Sequence, residues 1–172
     1  ALPPEQEEAA PSFVHTPADA IAQLQVDDAT VRVLVGQAWG AQSPVVSLAP
    51  ALYLDIQLPA NGQLRLPAGM AQELGLYAVD AAVSVAEETL EPHTMAVLPT
   101  DRSLALRAGA APVRCMLVGG DALAERRHIW WNFVSSRKER IVQAASDWEA
   151  QRMGQVPGET EFIPLPAHRF KP

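Results

Sequence analysis

Between Val31 and Phe133 the chain alternates short apolar segments with turn residues, the pattern of an all-β domain. Val31–Gly36 is one such segment. Leu52–Leu58 is another, with Leu52, Leu54, Ile56 and Leu58 at every second position. Asn61-Gly62 is a tight-turn signal, followed by Leu64 and Leu66 on one face. Leu74–Val79, Ala82–Val85, Met95–Leu98, Leu104–Ala108 and Val113–Gly119 continue the series, and Ile129–Val134 reads as a last, aromatic strand. No long helical pattern interrupts them. Many short strands at regular spacing predict a sandwich or a barrel.

The two ends read differently. Ala1 to Thr16 is rich in Pro and Glu and has no period, which predicts a linker or arm. Thr16-Pro17-Ala18-Asp19 has the composition of a helix start, with Ile21 and Leu24 inward and Asp27-Asp28 as its end. After the strands, Ser136-Arg137-Lys138-Glu139 has the form of a capping box. Ile141, Ala144, Ala145 and Trp148 then recur at helical spacing, and Gly154 supplies a stop. The tail beyond, with Phe162-Ile163-Pro164-Leu165-Pro166, is apolar and broken by proline, so it is expected to pack as an extended strap. The predicted organisation is an arm at 1–16, a β-barrel at 17–134, a helix at 135–154 and a tail at 155–172.

Composition narrows the function. The chain has 172 residues, 48% hydrophobic and 19% charged, enough to bury a core without disulfides. Its formal net charge of −7 disfavours direct nucleic-acid binding, which draws affinity from basic patches. The basic cluster Arg126, Arg127, Arg137, Lys138 and Arg140 is expected to be a solvated rim. The single cysteine, Cys115, lies in an apolar run and reads as a buried strand residue. With no apolar stretch near the roughly 20 residues of a membrane span, and no signal peptide, a cytoplasmic location without membrane partners is expected. The chain starts at Ala1 without Met, which predicts a piece of a longer protein.

Several chemistries lack their residues. There is no Gly-x-Ser-x-Gly, and Ser135 and Ser136 are assigned to capping. Gly119-Gly120 has no following Lys-Ser/Thr and reads as a turn, not a phosphate loop. Asp55 and Asp80 read as lone acids facing water. The aromatic set is the most informative feature. Trp130 and Trp131 are adjacent, so on a strand they would point to opposite faces. One would fill the barrel; the other would need a partner, either the Trp148 face of the helix or another domain.

Two strings resemble the pirin family. One is Arg126 to Pro166, with Trp-Trp-Asn-Phe-Val-Ser-Ser, the helix, Val-Pro-Gly and Phe-Ile-Pro-Leu-Pro. The other is the opening ALPPEQEEAAPSF, similar to the connection between the two pirin domains. Tyr53-Leu54-Asp55, Leu66-Pro67-Ala68-Gly69 and Leu117–Leu123 fall in family order between them. The resemblance implies a cupin-type double-stranded β-barrel (a jelly roll) with a C-terminal amphipathic helix, the C-terminal half of a bicupin. It further implies that iron or another divalent metal sits in an N-terminal cupin on three His and one Glu, and that this half carries none. Some pirins oxidise quercetin with dioxygen, and others act as protein partners in regulation. The expected role is therefore structural and binding, in support of a metal-carrying N-terminal cupin. The alternatives are a share in a quercetin 2,3-dioxygenase-like oxygenase and a protein–protein interaction module. No catalysis is assigned to this chain alone.

A cupin metal site needs two His one residue apart on a strand, a Glu shortly after and a third His on a later strand. Laid on this chain, those places fall at Pro67, Gly69, Glu73 and near Pro112, with Asp80 at the closing glycine. Only Glu73 has a ligand-type side chain. His15 and His168 lie in the arm and tail, His93 in a turn and His128 at the start of the aromatic strand, with no shared metal spacing. Glu73 and His93 remain as residual metal candidates. Trp130, Trp131, Phe133, Trp148 and Phe162 are the candidates for contact with an N-terminal cupin or, in its absence, for self-association.

Overall fold

The computed structural model describes residues 2–170 and divides the chain into two compact units. The barrel unit spans Pro11–Ala122; the helical unit joins the arm at 2–10 to residues 123–170.

The barrel unit holds twelve strands: β1 Gln23–Val26, β2 Ala29–Val35, β3 Gln37–Ala38, β4 Ala41–Gln42, β5 Ala51–Leu58, β6 Gln63–Leu66, β7 Glu73–Ala78, β8 Val83–Val85, β9 Glu88–Leu90, β10 Met95–Leu98, β11 Leu104–Ala108 and β12 Val113–Gly120. A six-stranded sheet runs β1-β2-β5-β12-β7-β10 and a four-stranded sheet runs β6-β11-β8-β9. Every pairing is antiparallel. Alternation along β11 and β12, and along β5 apart from the buried Asp55, sends one set of side chains from both sheets into a single core. Leu54, Ile56, Leu58, Leu64, Leu66, Leu76, Leu106 and Leu117 are all essentially sealed from solvent there.

Two local expectations change. Residues 17–26 do not form the expected helix. Only Ala18–Ala20 make a 3-10 turn, and Gln23–Val26 is a strand. The Thr-Pro-Ala-Asp signal is satisfied by one turn, after which alternation at Leu24 and Val26 and the ladder to β2 prevail. Asp27 and Asp28 are not a helix end but the two-residue link of the β1–β2 hairpin, Asp27 taking a φ of 48°. Their carboxylates accept the Arg65 and Gln63 amides of β6. Asn61-Gly62 does form a tight turn, with the Gly62 amide donating to Pro59 O at 2.9 Å. It joins strands of different sheets, however, rather than a hairpin.

The helical unit contains β13 His128–Trp130, β14 Phe133–Ser135 and α1 Lys138–Glu149. The aromatic stretch is thus a hairpin, not one strand: Trp130 pairs with Phe133, and Trp131 lies in the link with φ 54°. The helix ends at Glu149, well before Gly154, with Gln151 in the left-handed region at φ 53°. No helix among the described residues is long and apolar enough to cross a membrane.

Candidate functional site

The barrel interior is where a cupin would hold an ion, so its chemistry decides what this domain can bind. Pro67, Gly69, Glu73 and Pro112, the places assigned to ligands, are all exposed. The assignment misses the interior because the inward positions beside them are Leu66, Leu74 and Val113. These, with Leu64, Leu76 and Leu106, offer no lone pair. The residual candidates are not brought together either. Glu73 opens β7, whereas the His93 amide donates to Ala78 O at the other end of that strand. At about 3.4 Å per residue the strand separates them by well over metal-ligand reach. Among the described residues no three His, Cys, Asp or Glu side chains cluster as metal ligands. The donor set therefore does not fit a cupin metal.

Cys115 is a free cysteine, fully buried on β12. Burial pushes its thiol up to about 12, with the Asp80 charge adding to the effect. A thiol held this way is neither nucleophile nor metal ligand near neutrality. Outside the interior, a groove of about 900 Å³ runs along the Gln42–Ala51 loop, past Gly36 and Ser43. Its lining contains no ionisable side chain, so it supplies no acid or base.

Asp55 departs from expectation. It is nearly buried and bonds Arg114 in a two-pronged pair, Nε to Oδ1 at 2.8 Å and Nη2 to Oδ2 at 2.9 Å. The pair raises the Arg114 pKa, first through the hydrogen bonds and then through the Asp55 charge. Asp80 does not act with Asp55; its Oδ1 accepts the Arg114 backbone N–H at 2.9 Å. Both acids thus hold β12 in place.

The basic cluster is a solvated rim only in part: Arg126 and Lys138 are exposed, whereas Arg127, Arg137 and Arg140 grip the arm. The Glu7 carboxylate lies 3.1 Å from Arg127 Nε, with only 6% and 3% of the two side chains exposed. Ser135 Oγ and Ser136 Oγ donate to Glu7 at 2.9 and 3.0 Å, and the Ser136 amide at 2.8 Å. Burial pushes the Glu7 carboxyl up, but these hydrogen bonds and the Arg127 charge outweigh it and hold the group below its ordinary value. Arg137 and Arg140 bond Glu8. The expected capping box does not form. Arg137, not Ser136, occupies the cap position and makes no side-chain cap bond; Ser136 Oγ donates to Glu7, and Ser135 Oγ, while donating to Glu7, accepts the Arg137 amide at 3.1 Å. Sequence offered no local signal for this, since the partner lies at the far end of the chain.

The five aromatic candidates sit together in the helical unit. Trp131 meets Trp148 edge-on at 5.2 Å and Phe133 at 5.5 Å, Trp148 stacks on Phe162 at 5.9 Å, and Trp130 packs on Phe133 at 6.1 Å. Trp148 Nε1 donates to Ile163 O and Trp130 Nε1 to His168 O, which ties the tail down. Trp131 thus finds the helix face as its partner. His15, His93 and His168 are exposed and His128 is half-buried.

Two antiparallel sheets closed over one aliphatic core, followed by a single amphipathic helix, define a cupin-type β-barrel domain. The family model for the pirin C-terminal cupin domain matches residues 53–154, and the chain belongs to that family. A pirin-like protein of Caulobacter vibrioides is 37% identical over 96% of this chain and 57% of its own length. Human pirin is 28% identical over 84% of this chain and 51% of its own. The crystal structure of a quercetin 2,3-dioxygenase from Acinetobacter baumannii superposes with a TM-score of 0.90 at 26% identity, covering 99% of this chain and 57% of that one. The chain spans about half the length of the curated relatives it matches.

Proposed function

We propose that this chain is a structural and binding cupin domain, without a metal of its own, that supports a metal-carrying cupin in the same polypeptide. The observation behind this reading is the filling of the barrel. Leu64, Leu66, Leu76, Leu106 and Leu117 take the inward positions, and a cation among them would lack any ligand to replace its water. Elemental analysis of the purified chain, before and after incubation with Fe(II), Ni(II), Cu(II) and Zn(II), should find far less than one metal per chain. A near-stoichiometric ion that survives dialysis would overturn the reading.

A second reading concerns the whole polypeptide and rests on the close superposition with the Acinetobacter quercetin 2,3-dioxygenase. In it, a metal-carrying cupin supplies the redox chemistry when loaded, and this domain shapes the approach to that site. Quercetin-dependent oxygen uptake by the polypeptide from the complete reading frame, and none by these 172 residues, is the expected result. Uptake by the 172-residue chain would contradict it.

A further inference from the structure

The outer face of the four-stranded sheet gathers arginines that no carboxylate holds. Of the arginines in the barrel unit, Arg114 alone forms an ion pair among the described residues, with Asp55. Arg32 lies on the larger sheet, where its Nε donates to Gln23. The other three, Arg65, Arg102 and Arg107, are exposed and line two grooves over the smaller sheet. The grooves hold about 450 and 330 Å³. Both are lined by Ser103, Ala105 and Arg107, so they run together as one trough.

Strand register sets the spacing of the charges. Arg65 of β6 stands opposite Ala105 of β11. Arg107, two residues further along β11, stands between Gln63 of β6 and Ser84 of β8. Leu64, Leu66, Leu104 and Leu106 are buried in the core, so Gln63, Arg65, Ala105 and Arg107 point outward. Arg65 and Arg107 are therefore diagonal neighbours, about 7–8 Å apart at their bases. Only the methyl group of Ala105 stands between them, and the cross-strand neighbours of Arg107 are neutral. Two carboxylates border the trough, Asp27 at the first groove and Glu87 at the second. Neither pairs with a guanidinium, and Asp27 Oδ2 already accepts the Arg65 backbone amide at 2.8 Å.

We propose that this trough binds a small ligand with two oxyanion groups, carboxylate or phosphate, one held by Arg65 and the other by Arg107. The guanidinium is a planar fork that bonds either group through two parallel N–H donors. The Gln63 amide and the Ser84 and Ser103 hydroxyls supply further donors along the trough, and Arg102 adds charge at its far end. The volume suits a small molecule. A nucleic acid is the poorer occupant, because three arginines neutralise few phosphates and the chain as a whole carries −7. The trough lies outside the barrel interior and uses no metal, so the inference is independent of the two-cupin reading.

Titrations of the 172-residue chain with glutarate and pyrophosphate, followed by the arginine Nε–H resonances in NMR spectra, test this. Acetate and inorganic phosphate are the single-group controls. At least one two-group probe should bind about tenfold more tightly than its control, since two forks engage it at once. The shifts should centre on Arg65 and Arg107. Arg65→Gln and Arg107→Gln should each weaken that probe several-fold and bring it to the level of the control, whereas Arg32→Gln should leave it unchanged. Both trough arginines are exposed, so their variants should keep the parent melting temperature. A preference for glutarate would select a dicarboxylate, and one for pyrophosphate a phosphate ester. No binding at millimolar probe, equal affinity for probe and control, or shifts spread evenly over Arg32, Arg114 and Arg126 would overturn the proposal.

Discussion

The Glu7 carboxylate and the Ser136 backbone amide, 129 positions apart in sequence, meet at 2.8 Å. That contact, with Arg127 behind it, makes the arm part of the helical unit rather than a free leader. Glu7→Ala would leave the buried Arg127 guanidinium without its counter-charge, at a cost of about 2–4 kcal/mol. Urea unfolding followed by tryptophan fluorescence checks this, because Trp130, Trp131 and Trp148 all report on that unit.

Acid should release the same contact. The folded Glu7 carboxyl lies below its ordinary value of 4.5, so its contribution is complete above that pH and fades as pH falls through the folded pKa. Wild-type stability measured against Glu7→Gln should show a constant gap at neutral and mildly acid pH that closes below about pH 4.5. A gap that widens on acidification would contradict the assignment.

The Asp55–Arg114 pair spans the sheet surface, with Asp55 8% exposed and Arg114 48%. Solvent at the arginine end screens the attraction, so a double-mutant cycle with Asp55→Ala and Arg114→Ala should give a coupling of only about 0.5–1.5 kcal/mol. A coupling near zero would mean that the two hydrogen bonds do not persist in solution.

Cys115 should resist thiol reagents in the folded protein. Its thiol is fully buried and pushed up to about 12, which removes both access and thiolate. Modification by Ellman's reagent at pH 8 should track the unfolded fraction across a urea series. A rapid stoichiometric reaction without denaturant would show the interior to be open.

Two glycines with positive φ should respond differently to alanine. At Gly36, φ 83°, a Cβ would sit 2.1 Å from the Ala51 carbonyl oxygen, so Gly36→Ala forces the backbone apart and should cost several times the ordinary penalty. At Gly69, φ 72°, nothing lies within 4 Å, and Gly69→Ala should cost only the backbone term of about 1 kcal/mol. Thermal melts of the two variants provide the comparison.

Sequence reading succeeded where the signal was local. Met95–Leu98 and Leu104–Ala108 were legible to the residue, because alternation and flanking turns fix a strand's limits within a few positions. It failed where a distant partner decided. Gln23–Val26 became a strand because β2 pairs with it, against a locally sound helix start. Ser136 lost its cap role to Glu7, and Trp131 left the strand for a hairpin link against Trp148.

The sequence by itself therefore determined that this protein builds a β-barrel lined with aliphatic groups. In strands such as Leu52–Leu58 and Leu104–Ala108 every second position is apolar, and there the alternation chooses the inward face. Only the tertiary structure decided that the acidic arm ends on Arg127 and two serines, that Asp55 is paired, and that Tyr53, Val118 and Val97 share one open face. Those outcomes depend on register between remote segments, which a single segment's pattern does not encode.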